Sequence, residues 1–270
     1  MAVALDQQKL EAALQLGHDS TYLPFSLHIF DSVASTNRTL WDLLNQGANP
    51  GTVVIATQQT AGRGQWGRQW VSPSGGLYLS VAIAPNVEAN TSYQLTLASA
   101  WGIAHQLRQC GINVGIKWPN DLVLDGRKLG GILTETKVNQ GMITQAVIGV
   151  GINWSNPVPE TGINLKSWQA HQSNQPISGL EMLTCQVLQG IASGMSCLCQ
   201  AGVNILLSRY LELLVNLGDR VSVNNLAGTI IGVTPQGNLR VALETESIND
   251  IKTPEISLEP GTISLGYRRS

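Results

Sequence analysis

The sequence predicts an α+β protein, in which a mixed, mostly antiparallel sheet with helices precedes a small β domain. The middle of the chain alternates strand-like segments with the turn signals Asp125-Gly126 and Asn139-Gln-Gly141, which favour hairpins. Helices are few there, whereas a doubly wound parallel sheet needs a helix after each strand. Short alternating strands then dominate the C-terminal part. We therefore predict a large domain at residues 1–217, with its core at 25–200, and a small one at 218–270.

Hydrophobic periodicity and turn residues divide the chain into individual elements. The predicted strands are 27–30, 52–56, 76–84, 114–118, 122–124, 127–137, 142–150, 220–223, 228–233, 239–243 and 261–265. The predicted helices are 36–47, 93–110, 181–199 and 203–217, with a short amphipathic segment inside residues 1–24. Ser35 or Thr36 supplies the N-cap of the first of these helices, and Gly47 ends it. The proline-rich stretch 155–178 predicts a loop, to which the sequence assigns no contacts.

The composition excludes several classes of protein. The chain has 270 residues, 43% of them hydrophobic, and a formal net charge of −2, so it lacks the basic field expected of a nucleic-acid-binding protein. Its four cysteines lack metal-site spacing, and we expect them to be buried reduced thiols. Charged residues interrupt the N-terminal region, which predicts neither a signal peptide nor a membrane span. A cytoplasmic enzyme fits these features.

A glycine-rich, cationic loop after the strand 52–56 is the strongest indication of a ligand site. Residues 60–70 contain three glycines, two arginines and two tryptophans. Glycine lets backbone amides approach an anion, arginine binds phosphate or carboxylate through two hydrogen bonds, and an indole packs against a flat ring. The loop therefore predicts a site for a phosphorylated ligand that carries an aromatic ring.

The spacing of this loop does not identify the ligand. Gly62, Gly64 and Gly67 satisfy the dinucleotide-binding pattern literally, but the Pro73 region after them cannot open a helix and no βαβ unit follows. The loop also lacks the Walker pattern of P-loop proteins that bind nucleoside triphosphates. A glycine-rich turn whose arginines face solvent is the plainer alternative.

Five motifs in one order resemble those of the biotin–protein ligases. They are Ser35-Thr-Asn37, Gln59-Thr-Ala-Gly-Arg-Gly64, Lys117-Trp-Pro-Asn-Asp121, Lys128-Leu-Gly-Gly-Ile-Leu133 and Gly149-Val-Gly-Ile-Asn153. The similarity is tight over residues 28–154 and looser toward the C-terminus. It implies a class II synthetase-like catalytic domain and an SH3-like C-terminal barrel. Because it begins by His28, we expect the winged-helix DNA-binding domain of some members to be missing.

The resemblance implies a reaction in two steps. The carboxylate of biotin attacks the α-phosphorus of ATP, which gives biotinyl-5′-AMP and pyrophosphate, and biotin then passes to a lysine of a biotin carboxyl carrier protein or domain. Both reactants of the first step are anions, so cations must hold them together. The implied catalytic residues are Lys128, Arg63, Lys117 and Asp121, with Asp121 as base or orienting group for the acceptor amine. Mg²⁺ supplied with ATP would share the neutralisation, and its protein ligands are unknown.

Two binding sets follow from the same resemblance. The biotin set is Ser35, Thr36, Asn37, Gln59, Arg63, Gly64, Gln65, Lys128, Gly130 and Gly131. The ATP or adenylate set is Arg63, Arg68, Trp70, Lys117, Asn120, Lys128 and Asn153. Gln65 stands where several members have an arginine that is associated with retaining the adenylate, which puts tight retention in doubt. Arg268 corresponds only loosely to an arginine that some members place near the ATP phosphates.

Each of these residues also has a plainer role that the sequence leaves open. Ser35 and Thr36 fit a helix cap, Lys128 a solvated lysine beside a turn, Asp121 a hairpin cap, and Trp70 a core residue. Two other functions are alternatives, namely a lipoate–protein ligase and a DNA-binding biotin sensor. The sequence does not decide whether the protein forms a homodimer.

Overall fold

The computed structural model describes residues 5–16, 25–244 and 254–267. Its large sheet consists of β1 (Ser26–Phe30), β2 (Thr52–Ala56), β3 (Leu77–Ile83), β4 (Val87–Glu88), β5 (Gly115–Lys117), β6 (Asp121–Leu124), β7 (Arg127–Asn139) and β8 (Met142–Ile152). The strand order is β1-β2-β3-β8-β7-β6-β5, with β4 paired to β8. β1 and β2 are parallel, and the other pairs are antiparallel. The prediction of a mixed, mostly antiparallel sheet is confirmed.

Helices pack on the sheet and hold its central strands in the core. They are α1 (Gln7–Leu16), α2 (Thr36–Asn45), α3 (Ser92–Gln109), α4 (Leu165–Gln169), α5 (Leu180–Ser196) and α6 (Val203–Leu213). α3 and α5 approach closely because Gly102, Gly190 and Gly194 face each other's backbones, and a Cβ at any of them would overlap a backbone atom of the other helix or lie within 3 Å of it. By length and composition, Leu180–Ala201 could cross a membrane, with a mean hydropathy of 1.3, but half of its apolar window is buried inside the protein. This packing is that of a core helix.

One predicted helix and one predicted loop differ from the structure. α6 ends at Leu213, four residues before the predicted end, because Val215 donates its backbone N–H to Ile116 and so pairs with the edge strand β5. Backbone pairing with the edge of β5 stabilises an extended conformation at Val215, although the sequence pattern there favours a helix. Within the predicted loop 155–178, Thr161 and Ile163 pair with the backbone of Lys128, and the loop contains α4.

The four cysteines are free thiols, as predicted, but only Cys185 and Cys197 are buried.

A second, four-stranded antiparallel sheet follows the helices. It contains β9 (Arg220–Val223), β10 (Leu226–Val233), β11 (Leu239–Leu243) and β12 (Glu255–Leu258), in the order β12-β11-β10-β9. The predicted strand at 261–265 is wrong, and β12 was not predicted. Apolar and polar residues alternate at 261–265 for another reason. Ile263 and Leu265 pack against the core, but this segment does not pair in a sheet.

The second sheet is attached to the large one near the Lys117-Trp-Pro-Asn-Asp motif. Trp118 donates its indole N–H to the backbone oxygen of Gly237 at 2.9 Å, from a buried position. Gln94, at the start of α3, donates to the backbone oxygen of Pro235 at 3.0 Å. These contacts place the C-terminal segment beside the strand ends that carry the sequence motifs.

Candidate active site

Three glycines on β7 and β8 form the floor of the main cavity. Gly131 pairs with Gly151, and Gly149 lies two residues from Gly151 on the same face of β8. A Cβ at Gly149 would overlap the side chain of Asn37, and one at Gly151 would overlap the indole of Trp70. The absence of side chains on this face therefore creates the space above the sheet.

The cavity brings together nearly all residues that the sequence predicted for the site. Its empty space is about 1050 Å³ when the solvent at its open mouth is included. The predicted residues that line it are Ser35, Thr36, Asn37, Gln59, Arg63, Gly64, Gln65, Arg68, Trp70, Lys117, Asn120, Asp121, Lys128 and Gly131. These residues lie up to 96 positions apart in the sequence, so only the fold makes them neighbours.

One end of the cavity is lined by a buried network of uncharged polar side chains. The backbone N–H of Thr36 donates to Gln59 Oε1 at 2.9 Å, and Ser80 Oγ lies 2.8 Å from Thr36 Oγ1 and 2.6 Å from Asn37 Oδ1. Ser35 is the N-cap of α2, as predicted, but its hydroxyl makes no capping hydrogen bond. Because polar groups buried together hold one another in place, this end is pre-oriented for a ligand with matching donors and acceptors.

Glu135 on β7 connects this network to the glycine-rich loop. Its carboxylate accepts a hydrogen bond from Asn37 Nδ2 at 2.8 Å and forms an ion pair with Arg63, whose side chain is about half exposed. The loop closes on itself through the backbone N–H of Gly64, which donates to the carbonyl of Arg68 at 2.7 Å. Arg63 is therefore a tether between loop and sheet, and its charge is partly neutralised.

The other end of the cavity is cationic. Lys128 Nζ lies 2.7 Å from Asp121 Oδ1 and 5.2 Å from the centre of the Trp70 ring. Lys117 Nζ lies 3.5 Å from the centre of the Tyr267 ring, and the Tyr267 hydroxyl donates to Asp121 Oδ2. Lys117 and Asp121 are opposite each other in the hairpin of β5 and β6. A single carboxylate thus lies among the ammonium groups that the motifs predicted.

The electrostatics at this end favour an anionic ligand. Lys117 is only 7% exposed, and its pKa is lowered to about 8, chiefly by burial. The charge of Asp121 opposes this shift, while Lys128 and Arg68 contribute to it. A desolvated ammonium beside other cations is stabilised when a negative group arrives, so the site is suited to binding phosphate or carboxylate.

Two predicted residues lie outside the cavity lining. Asn153 is buried, donates its side-chain amide to the backbone of Lys128 at 3.3 Å, and accepts from Asn156 at 2.9 Å. Gly130 faces the opposite side of β7, where a Cβ would lie 2.6 Å from the carbonyl of Gly151. Their binding roles stay predictions. Arg268 lies outside the described residues.

Sequence reasoning missed several residues in or beside the cavity, among them Ser80, Glu135 and Tyr267, which hydrogen-bond to side chains of its lining. Ser80 had a signal, because it is a polar residue in a strand that is otherwise apolar. Glu135 and Tyr267 had none, since their partners come from distant segments. Among the residues that the structure describes, Gln65 Oε1 and Trp70 Nε1 at the cavity find no hydrogen-bond partner although they are buried, and a ligand could supply one.

Comparison with known proteins extends the assignment beyond the motifs. Residues 29–153 match the model of the biotin/lipoate A/B protein ligase family. The chain is 36% identical over 145 residues to the bifunctional ligase/repressor BirA of Bacillus subtilis, a match that covers 53% of this chain and 45% of that protein. It is 31% identical over 242 residues to the bifunctional ligase/repressor BirA of Salmonella typhimurium, covering 87% of this chain and 72% of that protein.

Solved structures give the same fold. The biotin protein ligase of Aquifex aeolicus, in complex with biotin and ATP, superposes with a TM-score of 0.71 at 23% identity, over 90% of this chain and 99% of that one. The sequence matches, the ordered motifs and the common fold lead to one conclusion: the chain belongs to the biotin/lipoate A/B protein ligase family.

Proposed function

We propose that the chain is a biotin–protein ligase, which forms biotinyl-5′-AMP and pyrophosphate from biotin and ATP and then transfers biotin to a lysine of a carrier protein. One observation supports this above the others. The neutral polar end and the cationic end of the cavity share one glycine floor, on which Gly149 and Gly151 are roughly 7 Å apart at the usual rise of a strand. Such a site suits a ligand with an uncharged polar head and a carboxylate that meets a phosphate.

The polar end favours biotin over lipoate. Thr36, Asn37 and Gln59 offer hydroxyl and amide groups to a ureido ring, which carries both donors and an acceptor. The disulfide ring of lipoate offers no N–H or carbonyl, so it could not use the hydrogen-bonding capacity that these side chains have beyond their bonds to one another. A site built to hydrogen-bond its substrate rejects an analogue that lacks those groups, so we expect strong discrimination.

In the first step, the biotin carboxylate is the nucleophile and no protein nucleophile is needed. Lys117 and Lys128 would hold the carboxylate and the α-phosphate in contact and stabilise the charge that develops on the phosphoryl oxygens. Arg68, on the exposed side of the loop, would reach the outer phosphates. Mg²⁺ would be held chiefly by the phosphates of ATP, because the cavity carboxylates Asp121 and Glu135 are already engaged with cations.

In the second step, the acceptor lysine must lose a proton before its amine attacks the acyl carbon of the adenylate. Asp121 lies beside Lys128 and would accept or orient that proton. The uncharged amine then attacks the acyl carbon and forms the amide, and AMP leaves with the electron pair of the broken anhydride bond. Lys128 would stabilise the departing phosphate.

The partner we propose is the biotin carboxyl carrier domain of a biotin-dependent carboxylase, in the cytoplasm and without nucleic acid. We assign residues 1–217 to catalysis and 218–270 to an SH3-like module, whose four antiparallel strands are consistent with such a barrel. In length, the chain spans 45% of the Bacillus subtilis relative and 72% of the Salmonella typhimurium one. A homodimer through a sheet edge would use β1, which is the outermost strand at one end of the large sheet.

The test is to incubate the purified protein with ATP and either biotin or lipoate, and to identify the nucleotide adduct by mass spectrometry. We expect the biotinyl adenylate alone, and label on the lysine of an added carrier domain. A lipoyl adenylate as the main product would support the alternative ligase. A low-salt gel shift with specific DNA would support the repressor alternative.

A further inference from the structure

The C-terminal segment 261–267 crosses from the small sheet to the cavity. At its start, Gly261 packs against the indole of Trp66 in the glycine-rich loop, and a Cβ there would lie 2.6 Å from Trp66 Nε1. Ile263, Ser264 and Leu265 then line the cavity. The segment therefore forms a wall of the site, although it belongs to the domain without sequence motifs.

Tyr267, near the end of this segment, contacts two charged groups of the site at once. Its hydroxyl donates to Asp121 Oδ2, while the other oxygen of that carboxylate lies 2.7 Å from Lys128 Nζ. Its ring lies against the ammonium of Lys117, with 3.5 Å between the nitrogen and the ring centre. The carboxylate is therefore held from both sides, and the lysine is covered on one face.

We propose that Tyr267 is a positioning residue for both steps of the reaction, its hydroxyl aiming Asp121 at the acceptor amine and its ring holding Lys117 toward the phosphates. The proposal rests on the proposed function. It means that the large sheet carries the charged side chains and that the C-terminal segment orients them.

The physical reasons differ for the two contacts. A carboxylate on a single cation can rotate, whereas a second donor on the opposite oxygen fixes its plane. An ammonium on an aromatic face is attracted to the ring while that face excludes water. Burial and the charge of Asp121 raise the pKa of Tyr267, so its hydroxyl stays a neutral donor throughout the physiological range.

The test separates the contacts with Tyr267→Phe and Tyr267→Ala. The Phe variant keeps the ring and loses the hydroxyl, so transfer from preformed adenylate should slow about tenfold while the KM for ATP stays near wild type. The Ala variant loses both contacts, so the KM for ATP should also rise about fivefold. The midpoint of the alkaline fall of ATP capture should shift in the Ala variant and stay at the wild-type value in the Phe variant, which keeps the ring beside Lys117.

Thr262→Val is the matched control for loosening of the segment. The Thr262 hydroxyl donates to the carbonyl of Glu259 outside the cavity, and the variant should leave both steps and the pH profile unchanged. Equal rates in Tyr267→Phe and wild type would overturn the role of the hydroxyl. A KM for ATP that stays the same in Tyr267→Ala would overturn the role of the ring, and a KM that falls would also identify Tyr267 as an obstruction. If wild type makes no biotinyl adenylate, the proposed function fails first.

Discussion

Replacing Lys128 with alanine is the sharpest test of the cationic end of the cavity. Lys128 Nζ lies 2.7 Å from Asp121, and its side chain is 29% exposed, so it is accessible to a ligand and only partly desolvated. Removal of one preorganised electrostatic donor typically lowers a rate by about 100- to 1000-fold, which corresponds to about 2.7–4 kcal/mol. We expect adenylation to fall within that range, without abolition, because Lys117 remains.

The same substitution should affect stability and biotin affinity much less. The ion pair with Asp121 lies between an exposed and a buried pair, and Tyr267 still donates to the carboxylate in the variant, so its loss should cost about 1–2 kcal/mol of unfolding free energy. Biotin also contacts the neutral end of the cavity in our proposal, so its binding should weaken by less than the rate falls. Adenylation is measured as single-turnover pyrophosphate release, and biotin affinity by calorimetry.

Two matched variants make this test decisive. Lys128→Arg keeps the positive charge and should retain more activity than Lys128→Ala, although the fork of arginine fits the space differently. Lys166→Ala removes an exposed lysine of α4 outside the cavity and should release pyrophosphate at the wild-type rate. If Lys128→Ala releases pyrophosphate as fast as the Lys166 control, the electrostatic assignment is wrong.

Three further predictions concern the floor, the loop and the pH profile. Gly149→Ala should weaken biotin binding at least tenfold, because the added Cβ overlaps the side chain of Asn37. Gly131→Ala should have a milder effect, because its Cβ meets no atom closer than 3.4 Å. Equal biotin affinities of the two variants by calorimetry would contradict this prediction. Gln65→Arg should slow release of the adenylate, and an unchanged off-rate in a filter-binding assay would refute that expectation. Because the pKa of Lys117 is lowered to about 8, kcat/KM for ATP should fall as pH rises through that value and the ammonium loses its proton. Lys117→Arg should remove this fall, and a wild-type profile that is flat above pH 8 would oppose the assignment.

The depressed pKa of Lys117 also has a consequence for stability. Between about pH 8 and the ordinary lysine value near 10.4, the unfolded chain binds more protons at this position than the folded protein. The contribution of Lys117 to stability therefore rises with pH across this window, while its contribution to ATP capture falls. If the thermal stability rises with pH over this window while kcat/KM for ATP falls, titration of the same group explains both.

Local signals were sufficient for most of the elements and for most of the predicted residues that line the cavity. Strand and helix periodicity are properties of neighbouring residues, so the run at 52–56 and the helix at 93–110 were placed within a residue or two. The motifs of the cavity could also be found from sequence, because each lies at a strand end or in a turn where glycine and polar residues stand out. Nearly all of their residues line one cavity.

What the tertiary structure decided is which side chains face one another across the sheet. A strand alternates its faces, so Gly131 lines the cavity whereas Gly130 points away, a difference that depends on register. The partners of Arg63 and Asp121 are Glu135 and Tyr267, 72 and 146 residues away in sequence. The sequence by itself determined the segments and the chemistry they carry. Only the folded chain could decide how charges are paired, because Coulomb and hydrogen-bond energies depend on distances in space that no local pattern encodes.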